Sequence, residues 1–259
     1  MQAPATALDD MAQAAGALIG RLRARAPRVH CITNNVAQNF TANVLLAVGC
    51  VPSMTLSPDE VAAFAAGAQA LMVNLGTFDA ERSAAAEIAI GVARENKVPW
   101  VLDPVLVERS PQRAAFARHL ITLAPAVVRL NAAEFAALAG DQPSPDAAAA
   151  WARDHNTVVA LSGETDLVAD GSRLARIASG HALMARVTAM GCAASALVAA
   201  CLAVEPDALR AAAAALLIID IAGEVAAETA QGPGSFAVAM LDALYRLDAA
   251  TLAARAKVT

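Results

Sequence analysis

Short β-rich runs alternate with longer alanine-rich helical runs along almost the whole of this 259-residue chain. That alternation is the feature that most constrains the fold. Strand followed by helix, repeated many times, closes into a mostly parallel sheet with helices on both faces. Strands are predicted at 29–32, 51–54, 71–75, 100–102, 127–130, 157–161, 166–169 and 173–179. Helices are predicted at 8–25, 36–48, 59–67, 80–96, 111–123, 131–139, 145–155, 191–203, 207–230 and 235–247. Asp170-Gly171 between the last two strand runs is a hairpin signal. The loop at 140–145 is too short to separate domains, and no Gly/Ser-rich linker or internal repeat interrupts the pattern. The expected architecture is one α/β domain over residues 1–259, with a three-layer α/β/α arrangement around a central, mostly parallel sheet.

Composition narrows the function classes. Apolar residues make up 58% of the chain but aromatics only 3%. The core is therefore built from Ala, Val, Leu and Ile, and alanine-rich helices pack closely. The net charge of −5 comes with no basic block, which argues against nucleic acid as a partner. The longest apolar stretches, 193–204 and 211–219, are too short to span a bilayer, so no membrane partner is expected. They point instead to buried helices and a subunit interface. Residues 1–20 lack a basic start followed by an apolar core, so they do not read as a signal peptide. The four cysteines, Cys31, Cys50, Cys192 and Cys201, form no C-x-x-C pair and sit in apolar surroundings. That usage suits a reducing cytoplasm.

In parallel sheets, ligands bind beyond the carboxyl ends of the strands. The residues there are Thr33-Asn34-Asn35, Met54, Asn74 to Thr77, Asp103-Pro104, Asn131 with Glu134, Ser162-Gly163, and Thr188 to Cys192. Nearly all are polar, glycine or sulfur-bearing in a chain that is otherwise apolar. Gly191-Cys192 places a thiol where a long apolar helix begins. Free amides at such an end favour phosphate, and they are expected to depress the pKa of a cysteine held there.

Each motif has two readings. Asp103 at the end of a buried strand either caps a turn or reaches a substrate or a metal-bound water. Asn131 and Glu134 fit a helix capping box. Glu134 one turn into that helix is also placed to hold Mg²⁺ through waters. Ser162-Gly163 allows close approach of a phosphate but is also an ordinary turn. Gly232-Pro233-Gly234 lacks the third glycine of a dinucleotide fingerprint, and no G-x-x-x-x-G-K P-loop occurs. His30, between Val29 and Cys31, reads as a packed core histidine.

Taken together, the motifs resemble the hydroxyethylthiazole kinase family of the ribokinase-like superfamily. The resemblance runs from Val29-His30-Cys31-Ile32-Thr33-Asn34 through Thr41-Ala42-Asn43, Pro52-Ser53-Met54, Asn74-Leu75-Gly76-Thr77 and Val101-Leu102-Asp103-Pro104-Val105. It continues through Asn131 with Glu134, Arg186-Val187-Thr188, Gly191-Cys192 and Gly234-Ser235-Phe236. It implies a ribokinase-like fold, a homotrimer with active sites between subunits, and ATP-dependent phosphorylation of the thiazole alcohol in thiamine salvage. It also implies roles by position. Met54, Asn34, Ala189 and Gly191 would contact the thiazole. Arg113, Ser162, Asn131 and Thr188 would contact ATP. Glu134 and Asp103 would hold Mg²⁺, and Cys192 would stand where most ribokinase-like enzymes have an Asp base. Two segments depart from the family pattern. Ala189-Met190 replaces Gly-Thr before Gly191-Cys192, and Leu106 to Ser110 replaces a loop of small residues. The alternatives are a thiazole- or nucleotide-binding relative with little turnover, another small-alcohol kinase, or an ATP-dependent dehydratase of the same superfamily.

Overall fold

The computed structural model describes residues 11–259, so the first three residues of the expected 8–25 helix lie outside the described residues. Eight strands form one sheet: β1 (Arg28–Ile32), β2 (Val51–Ser53), β3 (Ala70–Asn74), β4 (Trp100–Asp103), β5 (Val127–Asn131), β6 (Val158–Ser162), β7 (Asp166–Ala169) and β8 (Leu174–Ile177). Their order is β2-β1-β3-β4-β5-β6-β7-β8. Every pair from β2 to β6 is parallel, and the β6–β7 and β7–β8 pairs are antiparallel. The mostly parallel sheet expected from the alternation is present, with the hairpin at Asp170-Gly171.

The helices are α1 (Met11–Arg25), α2 (Gln38–Ala47), α3 (Val61–Gly67), α4 (Ala80–Glu95), α5 (Pro111–Ile121), α6 (Ala132–Ala139), α7 (Pro145–His155), α8 (Met190–Leu202), α9 (Ala208–Ala227), α10 (Pro233–Arg246) and α11 (Ala249–Arg255). Local chemistry fixes many of their starts. Ser110 caps α5 and Ser144 caps α7, each followed by a proline whose missing N–H is no loss in the first turn. Asp79 and Asp207 cap α4 and α9. Helix α11 and the short 3-10 turns at Val107–Arg109 and Ala182–Arg186 were not expected. Each is too short to show a helical apolar period.

Strand side chains alternate between two cores. Val29, Cys31, Met72, Val101 and Ala160 face the layer containing α1, α2, α8, α9 and α10. Leu71, Val73, Leu102, Val128 and Val159 face the layer containing α3 to α7. This is the period-two pattern of a sheet covered on both sides. Helix α8 is buried on nearly every side, because its alanines let α9 and the sheet approach together.

Register then aligns the polar strand ends. Asn74 lies beside Asp103 across the β3/β4 pair, and Asn131 lies beside Ser162 across β5/β6.

Candidate active site

The site forms where these strand ends meet the first turn of α8. Asn74 organises one half. Its Nδ2 donates to Asp103 Oδ2 at 2.8 Å and lies 3.3 Å from Cys192 Sγ. Its Oδ1 accepts from Gly76 N at 2.9 Å and from Asn34 Nδ2 at 3.0 Å. Asn34 Nδ2 is also 3.4 Å from the Cys192 sulfur. A Cβ on Gly76 would come within 2.7 Å of the Asn34 Cβ, so a residue without a side chain belongs there. From the helix, Ser195 Oγ donates to Asp103 Oδ2 at 2.9 Å. Cys192 and Ser195 are three residues apart and share one face of α8.

The neighbouring face of the same turn presents Gly191 and Ala194 to a cavity of about 880 Å³. Arg129, Ser162, Gly163 and Asp166 form its sheet-side wall, and Met184 and Asp220 lie across from them. Arg129 Nη2 donates to Ser162 Oγ at 2.9 Å. A Cβ on Gly191 would lie 2.8 Å from Arg129 Nη1, so Gly191 leaves room for that guanidinium. The first turn of α8 thus separates a thiol pocket from a cavity lined by a cation, a hydroxyl and helix-start amides. Such a cavity suits an anion.

The electrostatics turn on burial. Asp103, Glu134, Asp166 and Asp220 are all buried, and burial raises each carboxyl above the usual carboxylate range. Arg129 acts against that rise at all four. Cys192 departs from the expectation of a depressed thiol pKa. Burial, followed by the charge of Asp103, pushes it up to about 12. The helix N-terminus is outweighed because Cys192 is only 8% exposed and lies near the Asp103 carboxyl.

The structure does not bring all the expected residues together. Cys192, Asn34 and Asp103 meet in the thiol pocket, and Ser162 and Gly191 line the cavity. Glu134 and Asn131 form the capping box. Glu134 Oε2 accepts from Asn131 N at 2.8 Å, and Asn131 Oδ1 accepts from Glu134 N at 3.0 Å. The other Glu134 oxygen accepts from Leu106 N at 2.9 Å. Met54 packs half-buried against the core. Thr188 is exposed just before the turn. Arg113 is not on the cavity wall; its Nη1 donates to the Val105 carbonyl at 2.7 Å. Arg129 stands there instead. Ala189 takes the left-handed conformation, with φ 69° and ψ −1°, directly before α8. Leu106, at the start of the second departing segment, is also left-handed at φ 58°.

Sequence reasoning placed Asn74 at a strand end but missed Arg129, Ser195 and Asp220 as site residues. Each of these three is a single polar residue inside an apolar run, namely Val127-Val128-Arg129-Leu130, Ala193-Ala194-Ser195-Ala196 and Ile218-Ile219-Asp220-Ile221. That lone polarity is the signal that could have found them.

An open, mostly parallel α/β sheet covered by helices on both faces, with polar strand ends meeting the start of α8, is a ribokinase-like architecture. A ribokinase-like superfamily protein from Enterococcus faecalis shares the fold, with TM-score 0.66 at 12% identity over 94% of this chain and 90% of that one. The hydroxyethylthiazole kinase family profile matches residues 19–250. A hydroxyethylthiazole kinase of Klebsiella pneumoniae strain 342 is 49% identical over 238 residues, covering 87% of this chain and 92% of that protein. The structure of hydroxyethylthiazole kinase protein from Pyrococcus horikoshii OT3 superposes with TM-score 0.92 at 36% identity, covering 95% of this chain and 98% of that one. The chain belongs to the hydroxyethylthiazole kinase family.

Proposed function

We propose that this chain transfers the γ-phosphoryl group of ATP to the primary hydroxyl of 4-methyl-5-(2-hydroxyethyl)thiazole, a salvage step toward thiamine. The observation that carries the reading is the division made by the first turn of α8. Cys192, with Asn34, Asn74 and Asp103, lies on one side, and the cavity holding Arg129 and Ser162 lies on the other. Nucleotide phosphates occupy the cavity, and the alcohol enters from the thiol side beside Met54 and Ala189.

Phosphoryl transfer needs positioning and charge stabilisation more than covalent help. The alcohol oxygen bonds to the γ-phosphorus as the bond to the β-phosphate oxygen breaks. Amides at the start of α8 and the Arg129 guanidinium stabilise the charge that develops on the phosphoryl oxygens. The neutral Cys192 thiol orients the hydroxyl and guides its proton. In a loose transition state little base strength is needed before the new bond is well formed.

Asp103 and Glu134 would hold a Mg²⁺ ion, Glu134 through waters because its oxygens also accept from Asn131 N and Leu106 N; the two carboxyls are buried and repel each other. Mg²⁺ is commonly held by one or two carboxylates together with phosphates and waters, and there it would neutralise phosphate charge.

A homotrimer in the cytoplasm completes the reading. Val51 on edge strand β2, Phe64, Val36 and Leu46 are exposed large apolar residues, and such exposure marks interfaces. Thiazole-dependent release of ADP from ATP, followed by a coupled assay, tests the reaction. ADP release that ignores the thiazole alcohol would overturn it. Light scattering tests the assembly, and a stable active monomer at micromolar concentration would overturn the trimer.

A further inference from the structure

The cavity contains a carboxyl group that the proposed chemistry does not use. Asp220 sits in the middle of α9, only 7% exposed, and its side chain lines the cavity. Among the described residues no protein donor hydrogen-bonds its carboxyl. It follows Ile219 and lies one turn after Leu216, and both also line the cavity. Across from it runs the segment 178–184. A Cβ on Gly180 would be 3.5 Å from Asp220 Oδ1 and 3.6 Å from Met184 Sδ, so Asp220, Gly180 and Met184 crowd together. At this end of the cavity Leu216, Ile219 and Met184 give an apolar wall beside polar Asp220, Ser179 and His181, a mixture that suits a flat ring with a polar edge.

We propose that Asp220 reads the nucleobase of the phosphate donor, closing the slot between α9 and the 178–184 segment by hydrogen-bonding the amino edge of an adenine-type base. This rests on the reading of the cavity as a nucleotide site. An unpaired buried carboxyl costs stability, and a ligand that completes its hydrogen bonds offsets that cost. Protonation favours the same base. Burial raises the Asp220 carboxyl well above its ordinary range. Asp166 on β7 and Glu224 on α9 raise it further, and Arg129 on β5 opposes them. A neutral carboxyl offers one O–H donor and one C=O acceptor. Adenine presents the complement, an amino group beside a ring nitrogen. Unsubstituted purine keeps the ring nitrogen but has no amino group, and it leaves the acid's C=O without a donor.

The test is calorimetric titration of the full-length protein with ADP and with purine riboside diphosphate, whose base lacks the amino group; it needs no turnover. Wild type is expected to prefer ADP. Asp220→Leu should weaken ADP by about tenfold, the loss of one to two hydrogen bonds, and change the amino-free analogue less. Asp220→Asn keeps one donor and one acceptor and should restore ADP affinity to within about threefold of wild type. Asp220→Leu should also raise Tm by about 2–4 °C, because it removes an unpartnered buried acid. That rise shows that the variant folds. Equal losses for ADP and the amino-free analogue would overturn the assignment, as would an unchanged preference. An Asp220→Leu defect that disappears with 2′-deoxy-ADP would place the contact on the ribose and also overturn it. Failure of wild type to bind either nucleotide would overturn both this inference and the nucleotide reading of the cavity. Wild-type binding without thiazole-dependent turnover would overturn the kinase reaction alone.

Discussion

The amide of Asn74 lies 3.3 Å from the Cys192 sulfur and donates its hydrogen bond to Asp103 at 2.8 Å. One amide therefore ties the thiol to a buried carboxyl. Together with burial, that carboxyl holds Cys192 up to about 12.

A thiol held there is almost wholly protonated at neutral pH. Iodoacetamide should label Cys192 at least about tenfold more slowly than a free cysteine at pH 7.5, because the thiolate is the nucleophile. The rate should climb steadily with pH. Mass spectrometry of the labelled peptide reads this directly, and rapid labelling at neutral pH would contradict the proximity of Asp103. Cys192→Ala should reduce kcat far more than it weakens ATP binding.

Arg129 and Arg113 separate by position. Arg129 lines the cavity, and Arg113 lies off it with Nη1 on the Val105 carbonyl. Arg129→Ala should raise the KM for ATP by at least about tenfold, since it removes a charge-assisted contact worth about 1.5–3 kcal/mol. Arg113→Ala should change it less than about threefold. Initial rates against ATP concentration decide between them, and a larger effect at Arg113 would relocate the phosphate site. Met54→Asp should instead weaken the thiazole alcohol, because a charge would face an apolar ring.

Ala189 holds a left-handed conformation before α8, at φ 69°. That costs an L-residue about 1–2 kcal/mol, partly offset by the flexibility a glycine brings to the unfolded chain. Ala189→Gly should therefore raise Tm by about 2–3 °C. Combined with Met190→Thr, it should also increase kcat/KM on the thiazole alcohol, since it relieves the backbone and removes bulk beside the transferring group. Calorimetry and steady-state kinetics on the double variant provide the check. A fall in kcat/KM would mean that Met190 fits a different acceptor.

His30 is fully buried, its Nδ1 lies 2.8 Å from Ser53 Oγ, and burial lowers its pKa to about 4. The folded pKa is below the unfolded value near 6.5. The unfolded chain therefore binds more protons between those values, and stability contributed by neutral His30 is lost as pH falls from about 6.5 toward 4. The raised carboxyls of Asp103, Glu134, Asp166 and Asp220 act in the opposite sense, being lost as pH rises. The contribution must therefore be read as a difference. Urea unfolding of wild type and His30→Gln should show wild type losing about 2 kcal/mol relative to the variant between pH 8 and pH 5. A constant difference across that range would place His30 in a solvated setting.

The sequence by itself determined the sheet and the side on which chemistry occurs. Apolar strand runs that recur between alanine-rich helical runs leave parallel pairing covered on both faces as the solution. The polar residues Asn34, Asn74, Asp103 and Ser162 then fall at the carboxyl ends. The capping box of Asn131 and Glu134 was legible because it depends on residues three apart. Tertiary structure alone decided which arginine faces the cavity, because β5 and α5 each carry one and only packing orients them. It also decided the charge state of Cys192. A helix N-terminus is local and visible in sequence, but the burial and the Asp103 carboxylate that overrule it arrive from strands about 90 residues away. Asp220 is the same case. Its neighbours Asp166 and Arg129 come from strands β7 and β5, so only the fold reveals a buried acid that has no hydrogen-bond donor among the described residues.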